Sequence, residues 1–193
     1  MAYTSFEELA GRETEGRDYR IRIELRDPRV LSMAPHGGKI EPTTVEIAEA
    51  IAGIDYSFYS FEGLKTDSRM LHIESHLFDE PRALQAVEKA DVVITVHGQL
   101  NQKEEFVMVG GLNESLRSKI ATQLEAASFQ TRPPVEGLMG NDPMNICNRG
   151  KLNQGVQLEV SRKIRDVLKR DHQELQKFAN AVRRAVWLYL GNA

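Results

Sequence analysis

In YRIRIEL (19–25), Ile21 and Ile23 alternate with charged residues, the period-two pattern of a half-buried strand near a sheet edge. RVLSMAPHGG (29–38) is a short apolar run ending in glycines and predicts a buried strand with its exit loop. In EPTTVEIAEAIAG (41–53), Val45, Ile47, Ala48 and Ile51 supply an apolar helical face; Pro42 suits the first helical position and Gly53 the end. DYSFYSF (55–61) and MLHIES (70–75) read as strands, and EPRALQAVEKA (80–90) as a helix with Pro81 near its start. DVVITVHG (91–98) is a near-continuous β-branched run and predicts a buried strand. EEFVMVGG (104–111) predicts a further strand, NESLRSKIATQLEAAS (113–128) a helix capped by Asn113, and GVQLEV (155–160) another strand. Ser161 suits the cap of a last helical stretch, which runs to Leu190 with a break near Asp171 and His172. Residues 129–154 hold two adjacent prolines, several glycines and asparagines and no period, which predicts a long loop of the kind that is usually functional or mobile.

Strands alternating with helices predict an α/β fold with a largely parallel sheet between helices. The 193 residues suit one domain with a sizeable core, and the whole of 1–193 is expected to form it. A net charge of −3 carries no nucleic-acid footprint for the chain as a whole, although an acidic substrate would still need a local basic patch. Cys147 is the one cysteine, so no internal disulfide supports the fold. No apolar run is long enough to span a membrane, and the polar, acidic start MAYTSFEELAGRE has the wrong composition for a signal peptide. A cytoplasmic protein is expected; release by cell lysis would leave no mark on the sequence.

Ligands of open α/β sheets bind beyond the carboxyl ends of the strands. The strand near 29–34 delivers His36 and then Glu41 to that edge, the strand at 91–96 delivers His97, and the strand at 155–160 carries Glu159. Singly, the histidines read as turn residues, and Glu41 as an acid favoured at a helix start. Glu159 sits in an apolar strand, where a carboxylate is costly unless paired or coordinated. Together, two histidines and a glutamate match a zinc-hydrolase ligand set, in which the metal acidifies a water and polarises a carbonyl. A second carboxylate then serves to move the proton to the leaving amine. The spacing HIESH (72–76) is not a zincin motif, because a strand and loop are expected there; His72 reads as structural and His76 as a supporting or substrate-contacting group. Cys147 has no arguable histidine partner, and Phe178, Val182, Val186 and Tyr189 fall at the spacing of a core face.

APHGGKIEP (34–42), LHIESHLFDEP (71–81), ITVHG (94–98) and NRGKLNQGVQLEVSRKIR (148–165), in this order, resemble the poly-γ-glutamate hydrolases of bacteriophages infecting Bacillus and related bacterial proteins. The resemblance runs from about Val30 to the end of the helix after Glu159. It implies a mixed sheet between helices, similar to zinc carboxypeptidases, with Zn2+ held by His36, Glu41 and His97 and with Glu159 as catalytic base. The implied activity is hydrolysis of γ-glutamyl amide bonds, with poly-γ-glutamate or a related γ-glutamyl compound as partner. The four residues between His36 and Glu41 depart from the two of the wider carboxypeptidase pattern, and Gly37-Gly38 would let that longer loop fold back. Glu74 stands where the family pattern leads us to expect threonine.

Each unit of such a polymer exposes an α-carboxylate, so fixed cations are expected near the metal. Arg149, in the loop before the catalytic strand, is the favoured candidate; Arg162, Arg69 and Lys39 are the others. Two rival readings stay open at this stage. One is an amidohydrolase acting on a small acyl-glutamate or γ-glutamyl amide. The other is a non-catalytic, phage-related accessory protein that binds nucleic acid through the basic helix face SRKIRDVLKR (161–170), a stretch more simply read as a solvated face.

Overall fold

Alternation along the central strands decides how the sheet is covered. In the computed structural model, which describes residues 3–191, strand β2 (Asp27–Gly38) sends Val30 and Ala34 to one face and Leu31 and Met33 to the other. Strand β4 (Val92–Gln99) does the same with Val92, Ile94 and Val96 against Val93. Every one of these side chains is fully buried, so both faces of the sheet must be covered. Helices α2 (Thr44–Ala52), α4 (Glu114–Ala126), α5 (Arg162–Arg170) and α6 (His172–Tyr189) supply the cover on one face. Helices α1 (Phe6–Ala10) and α3 (Pro81–Val87), with the segment around Leu71, Ile73 and Phe78, cover the other.

Seven strands form the sheet in the order β1-β3-β2-β4-β7-β5-β6. The other five are β1 (Tyr19–Glu24), β3 (Tyr56–Gly63), β5 (Val107–Gly110), β6 (Thr131–Arg132) and β7 (Val156–Ser161). Strands β3, β2, β4 and β7 run parallel, whereas β1 pairs antiparallel to β3 and β5 antiparallel to β7, with β6 parallel to β5. This is the mixed, largely parallel, zinc carboxypeptidase-like α/β sheet expected. As expected too, β1 is an edge strand. Asn113 and Ser161 cap their helices, and the Asp171 carboxylate accepts from the Gln173 and Glu174 amides at the predicted break. Among the described residues, no helix is long and apolar enough to cross a membrane.

Two expectations need correction. Residues 70–75 form no strand. Both edges of β3 are already taken, by β1 and β2, so this stretch crosses as a 3-10 turn (Ser68–Leu71) and a loop, with Leu71 and Ile73 as buried anchors. Nor does Pro42 open α2. The chain first closes a turn, with the Glu41 amide donating to the His36 carbonyl at 2.9 Å, and α2 starts at Thr44.

The topology creates a crevice. From β2 the chain passes through α2 to β3 on one side, then returns past β2 through α3 to β4 on the other. The carboxyl ends of β2 and β4 therefore flank a switch point, the standard place for a ligand in such sheets. The exit from β2 there depends on Gly38, which has φ 65° and lies so close to the neighbouring strand that a Cβ would sit 2.6 Å from the Gly63 carbonyl oxygen. Gly38→Ala is expected to destabilise the protein by about 2 kcal/mol or more, lowering Tm by roughly 4–8 °C. Thermal unfolding of the metal-free protein checks this; an unchanged Tm would show that the turn relaxes freely.

Candidate active site

Three adjacent strands supply the site. His36 comes from the end of β2, His97 from β4, and Glu159 from β7, where it pairs in register with His97. Glu41 reaches the same place from the β2–α2 turn. The turn pays for this in conformation, because Thr43 takes φ 78°, a left-handed value unfavourable for a β-branched residue.

The ring atoms converge. His36 Nδ1 lies 3.2 Å from His97 Nδ1, Glu41 Oε1 lies 3.5 Å from His36 Nδ1, and Glu41 Oε2 lies 3.7 Å from His97 Nδ1. Both histidines are buried. The His36 Nε2–H donates to the Ile73 carbonyl at 2.7 Å, so in the neutral ring it is Nδ1 that carries the lone pair, aimed at the cluster. Two ring nitrogens at 3.2 Å need a proton or a cation between them. A tetrahedral zinc with Zn–N near 2.0–2.1 Å would set its ligand atoms about 3.3–3.4 Å apart, close to the spacings found. The three residues therefore fit a zinc ion. Two of them are biased toward the ligating form: burial pushes His97 down to about 3, and Glu41, despite its own burial, is drawn down to about 2 by the two imidazoles and by the Gly98 amide, which donates to Oε2 at 2.8 Å. His97 Nε2 is buried and finds no hydrogen-bond partner among the described residues, so the chain does not fix this ring's tautomer.

Glu159 has the opposite bias. Burial, then the negative charge of Glu41, push its carboxyl up to about 8, a group that exchanges protons near neutrality. Its Oε1 accepts from Gln157 Nε2 at 3.0 Å, and Gln157 Oε1 in turn accepts from Asn145 Nδ2 at 2.9 Å. This relay orients the carboxylate from the long loop.

A cavity of about 890 Å³ opens over the cluster and includes His36, Glu41, His97 and Glu159 in its wall. Of the four cations singled out in the sequence, Arg69 lines it. The other three do not. Arg149 is turned away, donating to the Phe78 carbonyl at 3.1 Å; Arg162 pairs with Asp166 on its own helix at 2.7 Å; Lys39 is exposed and donates to the Leu64 carbonyl. His72 is more than structural filling. It lines the cavity with its ring 3.9 Å from that of His36, and burial holds it down at about 4. His76 also lines the cavity, from a turn and not from a strand end. Cys147 is buried, and burial pushes its thiol up to about 12, far from a reactive thiolate. In the basic stretch 161–170, Arg165 is buried and Arg162 is paired with Asp166, while Lys163, Lys169 and Arg170 are exposed. Sequence reasoning passed over Gln157 and Asn145. Gln157 lies two residues from Glu159 on the same face of β7, a cue present in the sequence; Asn145 lies in the aperiodic loop and gave none.

Known proteins share this fold. The family model for poly-gamma-glutamate hydrolase matches residues 3–184. The SPbeta prophage-derived protein YoqZ of Bacillus subtilis is 39% identical over 162 residues, covering 82% of this chain and 58% of its own length, so the chain spans under two thirds of that relative. A solved bacteriophage poly-gamma-glutamate hydrolase superposes with TM-score 0.92 at 31% identity, over 99% of both chains. A solved zinc-free apo form of YndL superposes with TM-score 0.88 at 31% identity, over 95% of this chain and 96% of that one. With a family match across nearly the whole chain and a fold shared end to end, the protein belongs to the poly-gamma-glutamate hydrolase family.

Proposed function

We propose that this protein is a zinc-dependent hydrolase that cleaves the γ-glutamyl amide bonds of poly-γ-glutamate. The observation that carries the reading is the convergence of His36 Nδ1, His97 Nδ1 and the Glu41 carboxylate beside a second, proton-exchanging carboxylate, Glu159. Zinc, when bound, would acidify a water and polarise the scissile carbonyl. The chain supplies the rest. Glu159 takes the proton of the attacking water and delivers it to the departing amine. Gln157, fixed by Asn145, keeps that carboxylate aimed into the cavity. Arg69 anchors an α-carboxylate of the polymer, since it is the arginine in the cavity wall and arginine grips carboxylates with paired donors. The full chain acts as one catalytic domain, working in the cytoplasm or released from it on lysis.

Purified protein is expected to hold about one zinc per chain, with polymer cleavage lost to a chelator and restored by zinc. Metal-free protein whose activity is indifferent to chelator would sink the reading. Glu159→Gln should retain zinc while kcat falls by about 10²–10⁴-fold, a loss typical of removing a general acid–base group; kcat within tenfold of wild type would take Glu159 out of proton transfer. Arg69→Met should raise KM for the polymer by about tenfold or more with a smaller effect on kcat, as expected for one charge-assisted contact worth about 1.5–3 kcal/mol. Steady-state kinetics, with product length followed by gel filtration, would reveal an unchanged KM if Arg69 does not touch substrate.

A further inference from the structure

Among the described residues, the largest fully buried side chain is that of Arg165, 1% exposed, and it has no carboxylate hydrogen-bond partner there. A buried guanidinium is expensive unless its donors are used. Arg165 spends them on three backbone carbonyls from three separate elements. Nε donates to Val160 at 3.1 Å, Nη2 to Gln99 at 3.1 Å, and Nη1 to Pro42. Val160 follows Glu159, Pro42 follows Glu41, and Gln99 lies two residues after His97. One rigid fork thus grips the chain next to three of the four converging side chains.

Gly98 makes room for it. A Cβ there would lie 2.7, 2.8 and 3.0 Å from the guanidinium carbon and its two terminal nitrogens, so the group lies flat against the Gly98 backbone. The amide of that same residue donates to Glu41 Oε2 at 2.8 Å. The guanidinium is therefore placed behind the ligand cluster, between the turn that presents Glu41 and the strand that presents His97.

We infer that Arg165 is the positioning residue of the metal centre, setting the mutual geometry of Glu41 and His97, and with them Glu159, by clamping the turn and the two strand ends that carry them. The inference rests on the zinc reading given above. Arginine suits the task because its planar fork engages several carbonyls at fixed angles, which a lysine ammonium on a flexible stem does not. Partners that orient metal ligands in this way typically change metal affinity by 10–100-fold when lost.

The test is zinc affinity, measured by competition with a chromophoric chelator, alongside the Tm of the metal-free protein, for wild type, Arg165→Lys and Arg165→Met. Both variants are expected to bind zinc at least tenfold more weakly than wild type in the folded protein. Arg165→Lys keeps the charge and serves as the deciding variant if Arg165→Met does not fold. A lowered metal-free Tm with wild-type zinc affinity in Arg165→Lys would reduce Arg165 to a structural residue and overturn the inference. Wild-type protein that binds no zinc would instead overturn the metal reading, and the inference with it.

Discussion

A half-buried carboxylate at the end of a parallel sheet is the constraint around which this site is arranged. Glu41 has to be compensated, since an isolated anion withdrawn from water is costly. Two imidazoles and one backbone amide provide the compensation, and each comes from a different part of the chain. Meeting that demand fixes the rest. The β2–α2 turn has to close so that Glu41 comes back over His36, and the bond from the Glu41 amide to the His36 carbonyl closes it. Gly38 has to accept a left-handed conformation against the next strand, and Thr43 has to accept one before the helix begins. β4 has to pair beside β2 so that His97 faces His36. The fold satisfies these demands at a point where the strand order reverses.

The same anion separates the roles of the two glutamates. Glu41 is held charged by neighbours that complement it. Glu159, one strand further along, is raised in proton affinity first by its own burial and then by the repulsion of that charge. Identical side chains thus become a fixed ligand and a proton-exchanging group through environment alone, the general logic by which paired carboxyls divide acid–base work.

The pattern along the chain revealed what periodicity can encode. β4 was legible because β-branched residues run without interruption, and the break before α6 because Asp171 can cap only if a helix starts there. His36, Glu41, His97 and Glu159 could be grouped because strand ends in an α/β sheet point to one edge. Features decided by packing were not legible. Leu71 and Ile73 alternate like a strand, yet neither edge of β3 was free for them. Pro42 looked like a helix start, yet the ligand turn took precedence over it. Arg149 is close to Glu159 in sequence but faces the Phe78 carbonyl, while the distant Arg69 lines the cavity. Arg165 reads as one more charge on a basic helix, and only the tertiary fold buries it.

The charge of the cavity wall narrows how a polyanion could lie in it. Besides Glu41 and Glu159, its acidic members are Glu74, Glu136 and Asp142, against a single guanidinium, Arg69. A chain of glutamates could not line this cavity with carboxylates along its whole length without like-charge contacts. Apolar lining is available in Ile40, Leu100, Leu138 and Met139, and the γ-linked backbone offers methylene groups between its carboxylates. Under the proposed reading, the polymer then rests its methylenes on those side chains and commits one α-carboxylate to Arg69, with the remaining carboxylates directed to solvent. Discrimination would come from the spacing between that one anchor and the metal cluster, and not from a general attraction for negative charge.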